Sequence, residues 1–140
     1  MKKFWQLSHW ITRIILLLPA AVFLMIGIRN LSHLTAATGA RGITFASGMG
    51  MTVGRVGFGG FPLACGLFVL GCLFSEDRLL TALAFVATLD SVVLVVRIAS
   101  MFADASVQQN LGLVRAEIFL LLLAATGFLI EFGRRRRAIG

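Results

Sequence analysis

Four apolar stretches, separated by short polar segments, dominate the pattern of this chain. They cover about residues 11–29, 52–74, 79–101 and 113–132. Each is close to the ~20 residues that a helix needs to cross ~30 Å of hydrocarbon. Backbone polar groups in lipid have to be satisfied within the segment, so these stretches predict helices. The sequence therefore predicts an all-α integral membrane protein, a bundle of four transmembrane helices forming a single domain over residues 1–140.

Polar connections of unequal length join the four predicted helices. The segment SEDR, Ser75–Arg78, is short enough for a tight turn between the second and third helices. The connection at 29–51 is long enough to hold a short interfacial helix, and ASVQQN at 105–110 predicts a loop. The residues MKK before the first helix are also typical of a cleaved signal peptide, but the length of the apolar stretch favours a retained helix.

Lysine and arginine residues are distributed unequally between the two ends of the predicted helices. Eight lie at one end: Lys2, Lys3, Arg13, Arg78 and Arg134 to Arg137. Five lie at the other end: Arg29, Arg41, Arg55, Arg97 and Arg115. Cytoplasmic segments carry the excess of basic residues. Both termini, including the basic tail at 133–140, are therefore predicted to be cytoplasmic in a bacterial inner membrane, with Trp5 and Trp10 as interfacial anchors.

Composition supports membrane insertion and argues against one alternative. Hydrophobic residues make up 59% of the chain, against about 45–50% in soluble domains, and the mean hydropathy is +0.95. The net charge of +7 would indicate nucleic-acid binding if the basic residues formed an exposed stripe. They flank apolar stretches instead, so membrane lipids are the predicted partners and nucleic acid is not.

A glycine-rich segment, GMGMTVGRVGFGGFP at Gly48–Pro62, raises the question of a phosphate-binding loop. Such loops need GxxxxGK followed by Ser or Thr, or GxGxxG after a strand, and neither pattern is present. Small residues at helical spacing describe the segment better, because they let two helix backbones approach closely. The predicted packing face comprises Gly42, Ala46, Gly50, Gly54, Gly60 and Ala64. Pro62 is expected to kink this helix, with neighbours satisfying the carbonyls that it frees.

Arginines near the predicted outer end are the main candidates for a binding site. Arg29 and Arg115 are expected to reach the lipid headgroups separately. Arg55 and Arg97 lie about one turn inside their helices, where charged side chains usually face other helices and pair. Glu117 is the only acid at that depth and can accept a bidentate bond from one of the two. The surplus positive charge around Arg55, Arg97 and Arg115 predicts a bound anion or polar head, from a lipid or a quinone.

Asp90 lies near the middle of the third predicted helix, where burial disfavours an ionised carboxylate. It predicts either a hydrogen bond to a neighbouring helix or a role in proton or cation transfer. His9 and His33 lie at opposite ends of the first helix, too far apart to share a metal or haem, and cofactor binding by either one alone stays open. Cys65 and Cys72 are predicted to be buried free thiols. No spacing indicates a catalytic triad or a metal cluster, so neither is predicted.

The order of three segments carries a resemblance to a known family. GRVGFGGFPLACGLFVL is followed by VVRIAS late in the third helix and by RAEIFLLLLA early in the fourth. Over about residues 41–132 this order resembles a bacterial family of small four-helix membrane proteins of unknown function. That family is distantly similar to the DoxX-like group, some of whose members accompany quinone-linked or thiol redox proteins. The resemblance implies a compact four-helix bundle and pairing among Arg55, Arg97 and Glu117.

These features predict a non-catalytic accessory or structural subunit of a larger inner-membrane complex with an energy-transducing, redox or photosynthetic role. Its partners would be other transmembrane subunits or further copies of the chain, and it would bind lipid or quinone near the outer arginines. Two alternatives remain open. One is a small transporter or channel component that uses Asp90. The other, by analogy with the DoxX-like group alone, is a quinone-linked redox component, although the sequence contains no CxxC motif.

Overall fold

A computed structural model describes the backbone of residues 2–139 and the side chains of residues 9–137. The described chain is helical and contains no strand. Its α-helices are α1 (Lys2–Ser32), α2 (Leu34–Gly39), α3 (Gly48–Gly54), α4 (Phe61–Leu73), α5 (Leu79–Ala103) and α6 (Val107–Ile139). A π-helical turn, Arg55–Gly60, joins α3 to α4, and a 3₁₀ turn, Glu76–Arg78, precedes α5.

Four helical segments of the described chain are long and apolar enough to cross a membrane, which confirms the four predicted apolar helices. They are His9–Ser32, Gly48–Leu73, Glu76–Ala103 and Val107–Arg137. The side chains of Lys2, Lys3 and Trp5 and those beyond residue 137 lie outside the described residues. The parts of the predicted orientation and interfacial anchor that depend on them therefore stay predictions.

The helices extend beyond the apolar stretches at several ends. The first covers Lys2–Ser32 rather than 11–29, and the last covers Val107–Ile139 rather than 113–132. The predicted loop at 105–110 is wrong for most of its length. Asn110 stabilises the first turn of α6, because its Nδ2 donates to the backbone oxygen (3.0 Å) and the Oγ (3.2 Å) of Ser106. Hydropathy marks the part of a helix suited to lipid and misses such polar ends.

Contacts divide the chain into two compact units. The terminal unit comprises the chain up to Leu16 and from Cys72 onward. The central unit comprises Leu17–Gly71. Both cysteines are buried and free, as predicted, with Cys65 in the central unit and Cys72 in the terminal unit.

The terminal unit is built on the antiparallel packing of α5 against α6. Gly127 permits this packing, since a β carbon built there would lie 2.8 Å from a methyl carbon of Leu83 and 3.1 Å from one of Ile15. Its fully buried core includes the apolar side chains Leu16, Leu79, Ala82, Leu83 and Val86. Close packing of these side chains stabilises the unit through van der Waals contacts.

The turn between α5 and α6 contains an alanine in an unfavourable conformation. Ala105 has φ +49°, and it is the only non-glycine residue with positive φ in the described chain. The Ser106 N–H donates to the Met101 carbonyl (3.0 Å), which closes the end of α5. Glycine is the usual residue at this position of a helix C-terminus, because an L side chain costs about 1–2 kcal/mol there.

The central unit depends on close backbone contact between the second half of α1 and the segment from the π turn through α4. A β carbon on Gly27 would lie 2.7 Å from the Leu63 nitrogen, and one on Gly66 would lie 2.9 Å from the Leu24 nitrogen. A β carbon on Gly59 would likewise lie 2.7 Å from the Leu31 Cγ. Small residues therefore allow close packing here, as at many membrane helix interfaces.

Part of the predicted small-residue face is wrong. Gly42 lies in a turn with φ +77°, and Ala46 lies in the non-helical segment before α3, so neither belongs to a helical stripe. Gly50 and Gly54 do lie on α3, and a β carbon on Gly54 would lie 2.6 Å from the ring of Phe45.

Gly60 and Ala64, the remaining members of that face, are not part of the close contact with α1. The nearest atom to a β carbon on Gly60 is the Arg55 carbonyl oxygen at 3.8 Å, and Ala64 is exposed. Packing of a partner helix against these two residues stays a prediction.

Pro62 is accommodated by the π turn and by one side chain of α1. Proline has no N–H, so the Phe58 carbonyl loses its α-helical donor. The Nδ2 of Asn30 donates to this carbonyl at 2.6 Å, and Asn30 is only 3% exposed. The Phe61 N–H meanwhile bonds the Val56 carbonyl five residues back, as in a π-helix. The expectation that a neighbour satisfies the carbonyl freed by Pro62 is confirmed.

Candidate functional site

An ion pair joins the C-terminal part of α5 to the N-terminal part of α6 within the terminal unit. The Nε of Arg97 donates to both carboxylate oxygens of Glu117 at 2.8 Å, and its Nη2 donates to Oε1 at 2.6 Å. Its Nη1 donates to the Asn110 Oδ1 at 3.3 Å. The two charged side chains are 27% and 14% exposed. Three of the four bonds therefore engage the carboxylate in the fork geometry that makes such pairs strong.

Glu117 was predicted to pair with either Arg55 or Arg97, and the structure assigns it to Arg97. Arg55 is exposed, and it forms no ion pair among the side chains that the structure describes. The expectation that Arg55 faces other helices is therefore wrong. Arg29 and Arg115 are exposed as well, which agrees with separate contacts to headgroups.

A cavity of about 440 Å³ lies beside the ion pair. One wall is apolar and comprises Val92, Val93, Val96 and Met101. The other lining residues are polar or charged: Arg97, Ser100, Asp104, Ser106 and Asn110. Its size falls within the roughly 300–1,000 Å³ of small-molecule sites, which combine apolar walls with a few polar groups.

The charge of this cavity differs from the expected surplus of arginine. Glu117 neutralises Arg97, and Asp104 adds a negative charge to the lining. The site therefore carries no excess positive charge, so it suits an uncharged polar head better than an anion. The hydroxyl groups of Ser100 and Ser106 can donate to a carbonyl or hydroxyl of such a head.

Asp90 lies two turns before Arg97 on α5. It is 5% exposed, and its Oδ2 has no hydrogen-bond partner among the described residues. A buried carboxyl oxygen without a partner is costly and is often associated with function. The predicted hydrogen bond to a neighbouring helix is thus missing for this oxygen.

A charged cluster at the other end of the terminal unit was not foreseen in the sequence. Glu131 is fully buried and bonds Arg134 at 2.7 Å and Arg135 at 3.1 Å. Arg135 also donates to the carbonyl oxygens of Glu76 and Asp77 in the turn before α5. The spacing of Glu131 from the two arginines, three and four residues, is the helical signal that would have revealed these pairs.

The two histidines lie in separate surroundings. The Nε2 of His9 approaches Glu76 Oε1 at 3.9 Å in the terminal unit, whereas His33 is exposed between α1 and α2. Among the described side chains, no three His, Cys, Asp or Glu residues are grouped to hold a metal ion. The predictions about cofactors and metals remain untested by this geometry.

The fold and site together define a helical chain with four candidate membrane-spanning helices and an amphipathic cavity at one helix pair. Comparison with known family models, with characterised proteins and with solved structures found no match to this chain. The resemblance to DoxX-like proteins therefore stays a prediction.

Proposed function

We propose that this chain is a multi-pass protein of a bacterial inner membrane, with both termini in the cytoplasm. It acts as a non-catalytic subunit of a larger membrane complex and holds a lipid or quinone in the Arg97 cavity. The observation that carries this proposal is the cavity itself, with its valine wall, serine hydroxyls and neutralised arginine. A quinone, or a lipid whose head group carries no net charge, combines an apolar tail with a polar head, which matches the two sides of the lining.

Membrane insertion is supported by the apolar surface that the chain leaves uncovered. In the span Val107–Arg137, only 11% of the most apolar stretch is buried by the chain itself. Ile14, Phe74 and Leu129 are each more than two-thirds exposed. Monomeric soluble proteins rarely expose so much contiguous apolar surface, and lipid or partner helices are its usual cover.

The proposed orientation is supported by the terminal unit. His9, the turn at Glu76–Arg78 and the arginines Arg134 and Arg135 converge at one end of this unit. The end with most of the basic residues is the one expected in the cytoplasm. Reporter fusions at the two termini, and within the segment 42–47, would test this orientation, since the termini should report one side and the internal fusion the other.

Association with a partner helix is supported by α4. Gly60 and Ala64 are spaced four residues apart, outside the close contact with α1, and they would let a transmembrane helix of another subunit approach. An Ala64→Phe variant is expected to lose co-purifying subunits, whereas Phe68→Leu, which keeps an apolar side chain, is expected to retain them. Retention of the same subunits by both variants would refute this role of α4.

The ligand is tested by filling the cavity. Val93 lines it, whereas Val95 points elsewhere on the same helix and is 66% exposed. We expect Val93→Phe to remove quinone or lipid that co-purifies in fixed ratio, and Val95→Phe to keep it. The measurement is extraction of the detergent-purified protein followed by mass spectrometry. Equal ligand content in the two variants and the wild type would contradict the proposed site.

Asp90 supports a second candidate function, as a proton- or cation-conducting component. Its carboxyl is almost fully buried, with one oxygen lacking a partner among the described residues. Proton uptake into proteoliposomes, followed with a pH-sensitive dye, tests this function. Loss of flux in Asp90→Asn, with flux retained in Asp77→Asn, would favour transport. Absence of flux in the wild type would favour the subunit role alone.

A further inference from the structure

A second cavity, in the central unit, contains two arginines and no acid. Its volume is about 280 Å³, and it lies between the end of α1 and the segment that starts with α2. Arg29 and Asn30 line it from α1, and Arg41 lines it from the turn after α2. Its apolar lining includes Met25, Ile26 and Ala40. We infer that this cavity binds a phosphate group between Arg29 and Arg41.

The central unit has no carboxylate that could neutralise these arginines. It contains Arg29, Arg41 and Arg55, whereas the first acid of the sequence is Glu76, outside this unit. Neither Arg29 nor Arg41 forms an ion pair or side-chain hydrogen bond to another of the described side chains. The Arg97 cavity differs in this respect, because Arg97 already forms an ion pair with Glu117. Both arginines are exposed, so their guanidinium groups are free to bind an anion that enters the cavity.

The partial negative charges at the ends of α1 and α2 do not neutralise the two guanidinium groups. The C-terminus of a helix carries at most about half a negative charge, and α2 is only one and a half turns long. The carbonyl groups that end α2 are also satisfied locally, because Thr38 accepts from Arg41 and Ile43, and Gly39 accepts from Gly42. Two full positive charges exceed what the ends of α1 and α2 can offset.

The shape and chemistry of the lining indicate a phosphate ester with an apolar neighbour. Guanidinium groups bind phosphate oxygens through paired N–H donors. Asn30 is held in place by its bond to the Phe58 carbonyl, so it forms a fixed polar part of the lining. Met25 and Ile26 supply an apolar side on which an acyl chain can lie. Arg29 is close to the end of the candidate span His9–Ser32, where the side chain of an inserted helix would reach the lipid headgroups.

Binding of phosphate is tested with the full-length protein, purified in detergent and stripped of lipid. The probes are a short-chain phosphatidylglycerol and inorganic phosphate, with affinity read by calorimetry. The Arg29→Gln and Arg41→Gln variants should each bind roughly tenfold more weakly. Arg55→Gln removes the same charge from a residue of the same unit that does not line the cavity. This variant should bind within about twofold of the wild type.

The two probes distinguish the source of the phosphate group. Saturable binding of phosphatidylglycerol without competition from millimolar inorganic phosphate assigns the site to a lipid headgroup. Effective competition by inorganic phosphate assigns it to free phosphate or a soluble ester. Failure of both probes to bind the wild type, or an equal loss in all three arginine variants, would overturn the inference.

A cavity-filling variant keeps the test valid where loss of an arginine impairs folding. Ala40 lines the cavity and Ala36 does not, although both lie on or beside α2 and are exposed. Ala40→Leu should weaken phosphate binding roughly tenfold with both arginines retained, whereas Ala36→Leu should not. Equal affinity of the two variants would overturn the inference. The inferred phosphate site rests on the proposed membrane insertion but not on the Arg97 cavity. A negative result for one of the two cavities therefore leaves the proposal for the other unchanged.

Discussion

Replacement of Asn30 by leucine tests how the chain tolerates a proline within a candidate membrane-spanning segment. Asn30 is 3% exposed, and its Nδ2 lies 2.6 Å from the Phe58 carbonyl oxygen. That carbonyl is the α-helical acceptor of residue 62, where proline supplies no donor. Leucine has the same branched arrangement of side-chain heavy atoms as asparagine but no N–H, so the variant leaves the carbonyl without this partner.

The expected loss follows from the cost of an unsatisfied polar group. Leaving one buried acceptor without a donor costs about 1–3 kcal/mol, and lipid offers no water to replace the bond. Pro62→Ala restores a backbone N–H at the position that needs it. We therefore expect Asn30→Leu to lower the free energy of unfolding by about 2 kcal/mol in the wild type, and by well under half of that in the Pro62→Ala background.

A double-mutant cycle measures this coupling directly. Unfolding of the four proteins in mixed micelles, followed by far-ultraviolet circular dichroism, gives the four free energies. A coupling of at least about 1 kcal/mol between the two positions is expected. The same cost of Asn30→Leu in both backgrounds would refute the reasoning, because the side chain would then matter for something other than the missing N–H of Pro62.

Four further substitutions are tested with the same unfolding measurement. Glu117→Gln should cost about 2 kcal/mol, less than the roughly 3–5 kcal/mol of a fully buried pair because the Arg97 side chain is 27% exposed; no cost would show that the pair is screened. Gly66→Ala should destabilise by about 1–3 kcal/mol, since its β carbon would lie 2.9 Å from the Leu24 nitrogen. Gly71→Ala, with nothing within 4 Å, should instead gain up to about 1 kcal/mol, and an equal effect of both would contradict the assigned contact. Ala105→Gly should stabilise by about 1 kcal/mol by relieving the positive φ, and a destabilised variant would argue against that conformation.

Hydropathy predicts the four spans because lipid imposes one simple demand, a long apolar helix. It does not predict helix ends, which depend on local bonds such as that from Asn110 to Ser106. The predicted face also missed the glycines that contact α1 in the glycine-rich region, since these are Gly59 and Gly66 rather than Gly60 and Ala64. Spacing alone did not reveal that Gly42 lies in a turn, because it assumes that the helix already exists there.

For the charged sites too, the sequence pattern predicts some features, whereas others depend on how the helices pack. The depth of Arg97 and Glu117 along their helices could be read from the sequence, and so could the need of Glu117 for a basic partner. The choice between Arg55 and Arg97 depends on which helices are neighbours, and single-sequence periodicity carries no such information. The Arg29 and Arg41 cavity was missed for the same reason, since only the folded chain brings these two arginines to the same cavity.

Purification from native membranes in mild detergent tests the proposed role of the chain most directly. Mass spectrometry and an absorption spectrum on the same chromatographic peak would identify proteins, lipids and quinones that travel with it. We expect other transmembrane subunits in fixed ratio, together with a lipid or quinone that is lost in Val93→Phe. A chain that elutes alone or only with copies of itself, with the same bound lipids in the wild type and the variant, would contradict the proposal.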